Sequence, residues 1–376
     1  MEKKKVLFFI YQMGAGGAAR TLLNIINNLD RTKFTPILVT LNYNGSYEEY
    51  IKSDVTFIKL DTKRLRSAIF PLAKVIREEK AAIVFSTIPN YNTIAILANL
   101  FSFTGAKNIV REAAYLGGSP SENMKLLAYG MLYKLSSKVI ALSEGVKENI
   151  IKRYKIKPKK IKVIYNPVDL DSIKKNIEHE EVANEHQAIF KEEDAKIIIT
   201  AGRLVKDKDH ETLIRAFAKV NERITAKLVI LGEGELEEDL KRTAYNQNVL
   251  DKVHFIGFQQ NPYIYFKQAD VFVLSSKREG FGHVLAEALA TGVPVVSTNC
   301  KPGAQEVLNY GEFGRMCEVG NAEEMAAKIN EILNLNEEQT AQIIDKGLGR
   351  ANEFNAKKIV KQYEEAFNQT IDQIEK

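Results

Sequence analysis

The sequence predicts an α/β protein made of two doubly wound, Rossmann-like domains. Three observations point there. A chain of 376 residues exceeds one ordinary domain of ~100–200 residues and suits two. Short β-branched runs alternate with amphipathic segments, the pattern of buried parallel strands covered by helices on both faces. That alternation stops once, near the middle of the chain, and then restarts.

In the first half, 5–11, 35–41, 55–60, 82–86, 108–111, 138–141 and 161–164 read as strands. Segments 18–29, 67–79, 93–103, 123–135 and 144–154 read as helices, with Ser143 the expected N-cap of the last. Residues 171–194 are rich in Glu, Lys and Asn and show little periodicity, so they are expected to form a linker or loosely packed excursion. Strands resume at 196–201, 228–231, 253–256, 271–274 and 295–297, with helices near 210–220, 235–246, 284–290 and 322–335. Asn355 should cap a final helix running from 356 towards 374. The expected domains are therefore 1–170 and 171–355, with the final helix 356–376 following the second sheet. Ligands of open parallel sheets bind outside the carboxyl ends of the strands, which places the expected site in a cleft between two such domains.

Composition narrows the function classes. Hydrophobic content of 45% and charged content of 27% fit a soluble globular protein and exclude disorder and collagen-like repeats. Two cysteines, Cys300 and Cys317, make neither a disulfide framework nor a zinc cluster, and suit a reducing compartment. The lysine-rich start and the six-residue apolar run 6–11 resemble a signal peptide, but the run is shorter than the usual ~7–15 and reads as a buried strand. Segment 94–103 includes Asn99 and falls far below the ~20 residues of a spanning helix. A cytoplasmic protein, at most peripheral to the membrane, is expected.

The net charge of +5 divides into +14 over 1–170 and −9 over 171–376. The basic half carries a dense run, Lys147, Lys152, Arg153, Lys155, Lys157, Lys159, Lys160 and Lys162, and a second group, Lys63, Arg64 and Arg66. Such runs are commonly solvated faces. The sharper reading is an anionic membrane face and a lipid-diphosphate acceptor. Nucleic acid is disfavoured, because few stacking aromatics interleave with the run.

Chemistry concentrates at three places. Gly14-Ala15-Gly16-Gly17-Ala18-Ala19 joins the first strand to a helix, where glycines let the backbone approach a ligand and the helix N-terminus favours an anion. The spacing matches a dinucleotide fingerprint, but the second strand ends Thr40-Leu41-Asn42 without the acid that would bind ribose. A tight packing turn is the competing reading. In the second half, Ser275–Ala290 runs from a buried strand through a glycine turn into a helix. Amides near Phe281, Gly282, His283, Val284 and Leu285 can cradle phosphate oxygens. Glu279 and Glu287 flank that turn and suit hydroxyl groups of a phosphorylated sugar or ribose. Just past the strand that opens this domain, Arg203 and Lys208 can neutralise a diphosphate.

The ordered motifs resemble retaining glycosyltransferase family 4, of GT-B fold, over nearly the whole length. They are Gly-Gly-Ala-Ala-Arg at 16–20, Val-Ile-Tyr-Asn-Pro-Val-Asp at 163–169, Ala-Gly-Arg-Leu at 201–204, Leu-Gly-Glu-Gly-Glu-Leu at 231–236, Phe-Ile-Gly-Phe at 255–258, Ala-Asp-Val-Phe-Val-Leu-Ser-Ser at 269–276, the Glu-x7-Glu signature at 279–287 and Gly-Val-Pro-Val-Val-Ser-Thr at 292–298. The resemblance implies that Arg203 and Lys208 bind the donor diphosphate and stabilise the leaving nucleotide, with Glu279 on the donor sugar and Glu287 on the ribose. It implies that the backbone from Ile256 to Phe258 reads the base, that Gly282 to Leu285 meet phosphate and sugar, and that Gly16 and Gly17 close over the donor. It implies no metal and no cofactor beyond a nucleotide sugar, a UDP-sugar in the first instance, and retention by front-face attack. Arg111 and Glu112 fall on the acceptor side, where Ala113 and Ala114 stand in place of a commonly following His. Ala19 likewise replaces an acid. The resemblance also implies that the C-terminal helix 356–376 crosses back to join the first domain, 1–170. The implied reaction moves a hexose or N-acetylhexosamine to a glycan, lipid-linked, in cell-surface polysaccharide assembly. A sugar-nucleotide epimerase or hydrolase would act without an acceptor, and a catalytically silent binding module would not need Glu279, Glu287, Arg203 and Lys208 together.

Overall fold

The computed structural model describes residues 3–14, 16–192 and 194–372, so Ala15 of the glycine loop, Glu193 and the expected end of the final helix beyond 372 lie outside the described residues. The chain divides into two compact units, Met1–Pro167 with Asn355–Lys376, and Val168–Phe354.

Unit 1 holds seven strands: β1 (Lys4–Phe9), β2 (Phe34–Leu41), β3 (Thr56–Leu60), β4 (Ile83–Thr87), β5 (Lys107–Glu112), β6 (Lys138–Ala141) and β7 (Ile161–Val163). All are parallel, in the order β3-β2-β1-β4-β5-β6-β7. Val6, Leu7, Phe8 and Phe9 are all fully buried because both faces of β1 are covered. Val6 and Phe8 pack with Leu22, Ile25 and Ile26 of α1 (Gly17–Asn28); Leu7 and Phe9 pack on the other face with Leu72 and Ile76 of α2 (Ile69–Glu78) and Ala95 of α3 (Pro89–Ser102). This is why the strand reads as one continuous apolar run. The unit adds α4 (Pro120–Tyr133) and α5 (Glu144–Asn149), and the Ser143 side chain does accept from the Val146 amide at 3.2 Å.

The final helix, Ala356–Asp372, completes the unit 1 core. Ile359, Val360, Tyr363, Ala366 and Phe367 join the β1–α1 face, and the Phe367 ring meets Phe8, Phe34 and Phe85 edge-on, with centroids about 6 Å apart. Asn355 opens this helix by accepting from the Lys357 amide at 2.9 Å.

Unit 2 begins with α6 (Leu170–His179) and α7 (Asn184–Phe190), then alternates β8 (Lys196–Ala201), α8 (His210–Asn221), β9 (Ala226–Leu231), α9 (Glu237–Asn246), β10 (Val253–Phe255), α10 (Tyr263–Phe266), β11 (Val271–Leu274), α11 (His283–Thr291), β12 (Val295–Thr298), α12 (Gly303–Val307), β13 (Arg315–Cys317), α13 (Ala322–Leu333) and α14 (Glu337–Glu353). The final helix is thus α15. The sheet is parallel, in the order β10-β9-β8-β11-β12-β13. Here the expected linker is corrected: 170–190 is largely helical. Asp169 caps α6 by accepting from the Ser172 amide at 3.0 Å, and of that helix Ile173 alone is buried among the described residues. One anchoring residue leaves no visible period. The sequence reading also missed α14, whose buried residues are the small Gly347 and Ala351, and the three-residue edge strand β13.

Candidate active site

In both sheets the strand order reverses beside the first strand, and such a switch point opens a crevice at the carboxyl ends. In unit 2 the switch lies between β8 and β11, which pair through Val271 with Ile198 and Phe272 with Ile199. The segment after β8 carries Arg203 and Lys208; the segment after β11 carries Glu279. Adjacent parallel strands therefore deliver the three predicted side chains to one end of one sheet.

Several bonds lock the two loops together. Lys208 Nζ forms an ion pair with Glu279 Oε1, which also accepts from Ser276 Oγ at 2.8 Å. Ser275 Oγ donates to the Lys208 carbonyl at 2.8 Å, and the Lys277 amide donates to the Asp207 carbonyl at 2.8 Å. Lys277 and Arg278 reach back to Asp209 and Asp207 at 3.3 and 3.1 Å. Lys208 and Glu279 are largely buried, whereas Arg203 is exposed and its guanidinium has no hydrogen bond or ion pair among the described residues. The arrangement is a fixed cation–carboxylate pair beside a free guanidinium.

Glycines hold the Arg203 loop from behind. An added Cβ at Gly232 would stand 2.0 Å from the Gly202 carbonyl oxygen, and one at Gly234 would stand 2.4 Å from that of Leu204. Only glycine allows this backbone approach, which is the packing reason for Gly-Glu-Gly after β9. The Leu204 amide then donates to the Glu233 carbonyl at 2.9 Å. Phe258 is half-exposed, and its amide donates weakly to Glu233 Oε1 at 3.4 Å.

The turn from Glu279 into α11 is equally constrained. The Gly303 amide donates to the Glu279 carbonyl at 3.0 Å, and a Cβ at Gly303 would lie 2.4 Å from the Phe281 backbone. Gly282 caps α11 with φ of +77°, a left-handed conformation that disfavours any side chain. As a glycine, the cap residue brings no side-chain acceptor of its own to the first turn of α11. The Leu285 amide turns back to the Gly282 carbonyl at 2.9 Å. Glu287 sits in the helix, 4% exposed. Its Oε1 accepts from Tyr263 Oη at 3.1 Å and lies 3.5 Å from His283 Nε2. Tyr263, which holds Glu287, escaped the sequence reading because it lies in no glycine-rich or charged motif; Ser276, which holds Glu279, stands within the motif 269–276 but received no role there.

His210 opens α8, 3% exposed, and burial together with the neighbouring Lys208 charge pulls its imidazole down to about 4. It is neutral at physiological pH. Burial pushes the Cys300 thiol up to about 12, so it is protonated and a poor nucleophile.

In unit 1, Gly16 is extended and Gly17 begins α1, and a Cβ at either would meet nothing within 4 Å. Packing inside unit 1 does not require these glycines. Arg111 and Glu112 are buried in unit 1, at 1% and 0% exposure. Arg111 donates to Thr87 Oγ1 at 2.9 Å and to Asn166 Oδ1. Tyr133 donates to Glu112 Oε2 at 3.0 Å, and Asn92 ties Ser86, Tyr133 and the Arg111 carbonyl together. Burial lifts the Glu112 carboxyl to about 7, against the opposing pull of Tyr154 and Tyr133. The pair thus forms an internal network rather than a surface contact.

Comparison with known proteins identifies the family. Residues 181–348 match the family of glycosyl transferases group 1, and residues 15–172 match glycosyltransferase family 4. A Campylobacter jejuni relative is 30% identical over 95% of this chain and 98% of its own length. The chain belongs to glycosyltransferase family 4.

That relative is the N-acetylgalactosamine-N,N'-diacetylbacillosaminyl-diphospho-undecaprenol 4-alpha-N-acetylgalactosaminyltransferase. A second relative, the capsular polysaccharide biosynthesis glycosyltransferase CapM of Staphylococcus aureus, is 28% identical over 86% of this chain and 85% of its own length. The structure of Anabaena HepE in complex with UDP has a TM-score of 0.80 at 19% identity, covering 97% of this chain and all of that one. This likeness shows the GT-B fold, two Rossmann-like α/β domains. No helix among the described residues of this glycosyltransferase is long and apolar enough to cross a membrane.

Proposed function

We propose that this glycosyltransferase moves a hexose or N-acetylhexosamine from a UDP-sugar to a lipid-linked glycan, with retention of configuration and without a metal ion. The observation that carries the reading is the Lys208–Glu279 pair with Arg203 at the switch point of unit 2, with Glu279 in the turn that leads through Gly282 into α11. Arg203 and Lys208 supply positive charge where a diphosphate departs, the task a metal would otherwise perform. Glu279 keeps Lys208 oriented and presents acceptor oxygens to sugar hydroxyls. Glu287 would take the ribose, and the His283 and Val284 amides a phosphate oxygen. The proposed route is front-face attack, in which the leaving phosphate takes the proton of the acceptor hydroxyl.

The relative's name includes a diphospho-undecaprenol acceptor, and the surface of unit 1 suits a lipid phase. Along α4, Met124, Leu127 and Met131 recur at helical spacing on the outside, 72%, 45% and 62% exposed. Phe103 is 85% exposed at the end of α3. Lys152, Lys155, Lys157 and Lys159 have no side-chain partner among the described residues, while Lys147, Lys160 and Lys162 are tied to Glu144, the Lys134 carbonyl and Glu365. We therefore place the protein on the inner face of the cell membrane, peripherally bound. Apolar side chains beside free lysines form an interfacial surface, at about 1 kcal/mol per basic residue near anionic lipid.

The test incubates purified protein, in EDTA, with UDP-hexoses or UDP-N-acetylhexosamines and a lipid-linked glycan extract. The expected product carries the donor's anomeric configuration. An inverted product contradicts retention, and loss of turnover in EDTA contradicts metal independence.

A further inference from the structure

We infer that Tyr263 is a positioning residue for the donor's ribose. Its hydroxyl fixes the rotation of the Glu287 carboxylate, so that the carboxylate meets the ribose hydroxyls with its acceptor directions already set. The inference rests on the ribose role of Glu287 given above.

The helix that carries Glu287 does not decide where its carboxylate points. Glu287 stands on α11 one turn after His283 and is 4% exposed. The last torsion of a glutamate joins a tetrahedral to a planar carbon and is broad and roughly two-fold, so a helical position leaves it open. A donor from another element closes it. Tyr263 Oη, from α10, donates to Glu287 Oε1 at 3.1 Å, the same oxygen that His283 Nε2 approaches to 3.5 Å. The bond also lowers the cost of burying a carboxylate before any ligand arrives.

Helix α10 is built to hold that hydroxyl still. It has four residues, and all of them are buried. Phe266 packs edge-on against Phe272 of β11, with centroids 5.0 Å apart. Tyr265 Oη donates to Gln259 Oε1 at 3.1 Å and lies 3.0 Å from His186 Nδ1 of α7. The Tyr263 amide donates to Asn261 Oδ1 at 3.3 Å, and Asn261 Nδ2 donates to the Asn176 carbonyl of α6 at 3.3 Å. Helices α6 and α7 thus brace α10 through side-chain bonds, and α10 aims one hydroxyl at Glu287. A ring needed only to fill this space could be a phenylalanine. A hydroxyl held on a carboxylate by a braced element is the support that a precise ligand contact requires.

The test titrates the full chain calorimetrically with UDP and with 2′,3′-dideoxyuridine diphosphate, in wild type, Y263F, E287A and Y263F/E287A. Wild type should prefer UDP by about tenfold or more, the scale of hydroxyl groups lost from a carboxylate. Y263F keeps the ring, so it should weaken UDP by at least about threefold and leave the dideoxy nucleotide unchanged. In the E287A background the same substitution should change neither affinity. A Y263F protein that loses affinity for both nucleotides equally reveals a packing role and overturns the inference. So does unchanged UDP affinity in Y263F, or the same loss of UDP affinity with and without Glu287. Failure of the ribose reading looks different: wild type then binds the two nucleotides equally well, and the inference falls with it.

Discussion

Lys208 and Glu279 form the pair on which the proposed chemistry turns. Removing Lys208 leaves Glu279 with Ser276 as its partner and the departing diphosphate with Arg203 alone. Lys208→Ala should lower kcat by roughly 10²–10³, the scale of losing one aligned electrostatic contact, with the far-ultraviolet spectrum unchanged. Wild-type turnover in the folded variant would remove Lys208 from the mechanism. Glu112 makes a separate prediction at this scale. Its folded value near 7 lies above the ordinary value near 4.5, so the native state binds the extra proton between those pH values. That contribution is fully present below pH 4.5 and fades as pH rises towards 7. Glu112→Gln should therefore flatten the stability–pH curve there and stabilise the protein at pH 7 relative to wild type, by up to roughly 3 kcal/mol. Denaturant melts at several pH values decide it; parallel curves for the two proteins would show that burial does not perturb this carboxyl. The sequence shows the charged members of both clusters. It does not show that Arg111 and Glu112 turn inward, because an Arg-Glu pair ending a strand reads the same whether the next layer is solvent or α4.

Turns and helix ends set the site at the scale of the element. Gly303→Ala would drive a methyl group into the Phe281 backbone and displace the turn that presents Glu279. It should destabilise by about 1–3 kcal/mol and lower activity as well. Gly16→Ala is the counterpart: a Cβ there meets open space, so the melting temperature should hold while the Michaelis constant for the donor rises. A Gly16→Ala protein with unaltered donor kinetics would leave this loop without a ligand role. Elements with a full apolar stripe or a doubly buried strand were legible in the sequence, as β1 and α8 show. Those anchored by one side chain or by small residues were not. Helix α6 rests on Ile173 and α14 on Gly347 and Ala351, which supply too few apolar positions to make a period.

The whole molecule consists of two units with separate cores, and the chain passes between them at Pro167–Val168 and Phe354–Asn355. Unit 2 is one continuous segment, whereas unit 1 needs α15 from the far end of the chain. Residues 168–354 should fold alone. Residues 1–167 should not, because Phe8, Phe34 and Phe85 lose the Phe367 and Tyr363 rings. Limited proteolysis of the two fragments checks this, and a protease-resistant 1–167 fragment would contradict it. The charge division drawn from the sequence now has a physical location: the −9 half contains a local pair of cations at its switch point, and the +14 half holds Lys152, Lys155, Lys157 and Lys159, without side-chain partners among the described residues. The central claim is that unit 2 holds a uridine diphosphate through Arg203, Lys208 and Glu287. Calorimetric titration of the full chain with UDP tests it most directly. Wild type should bind, and Glu287→Ala and the R203A/K208A double variant should each weaken binding at least tenfold without loss of fold. Absence of UDP binding by wild type, or equal affinity in all three proteins, would contradict it.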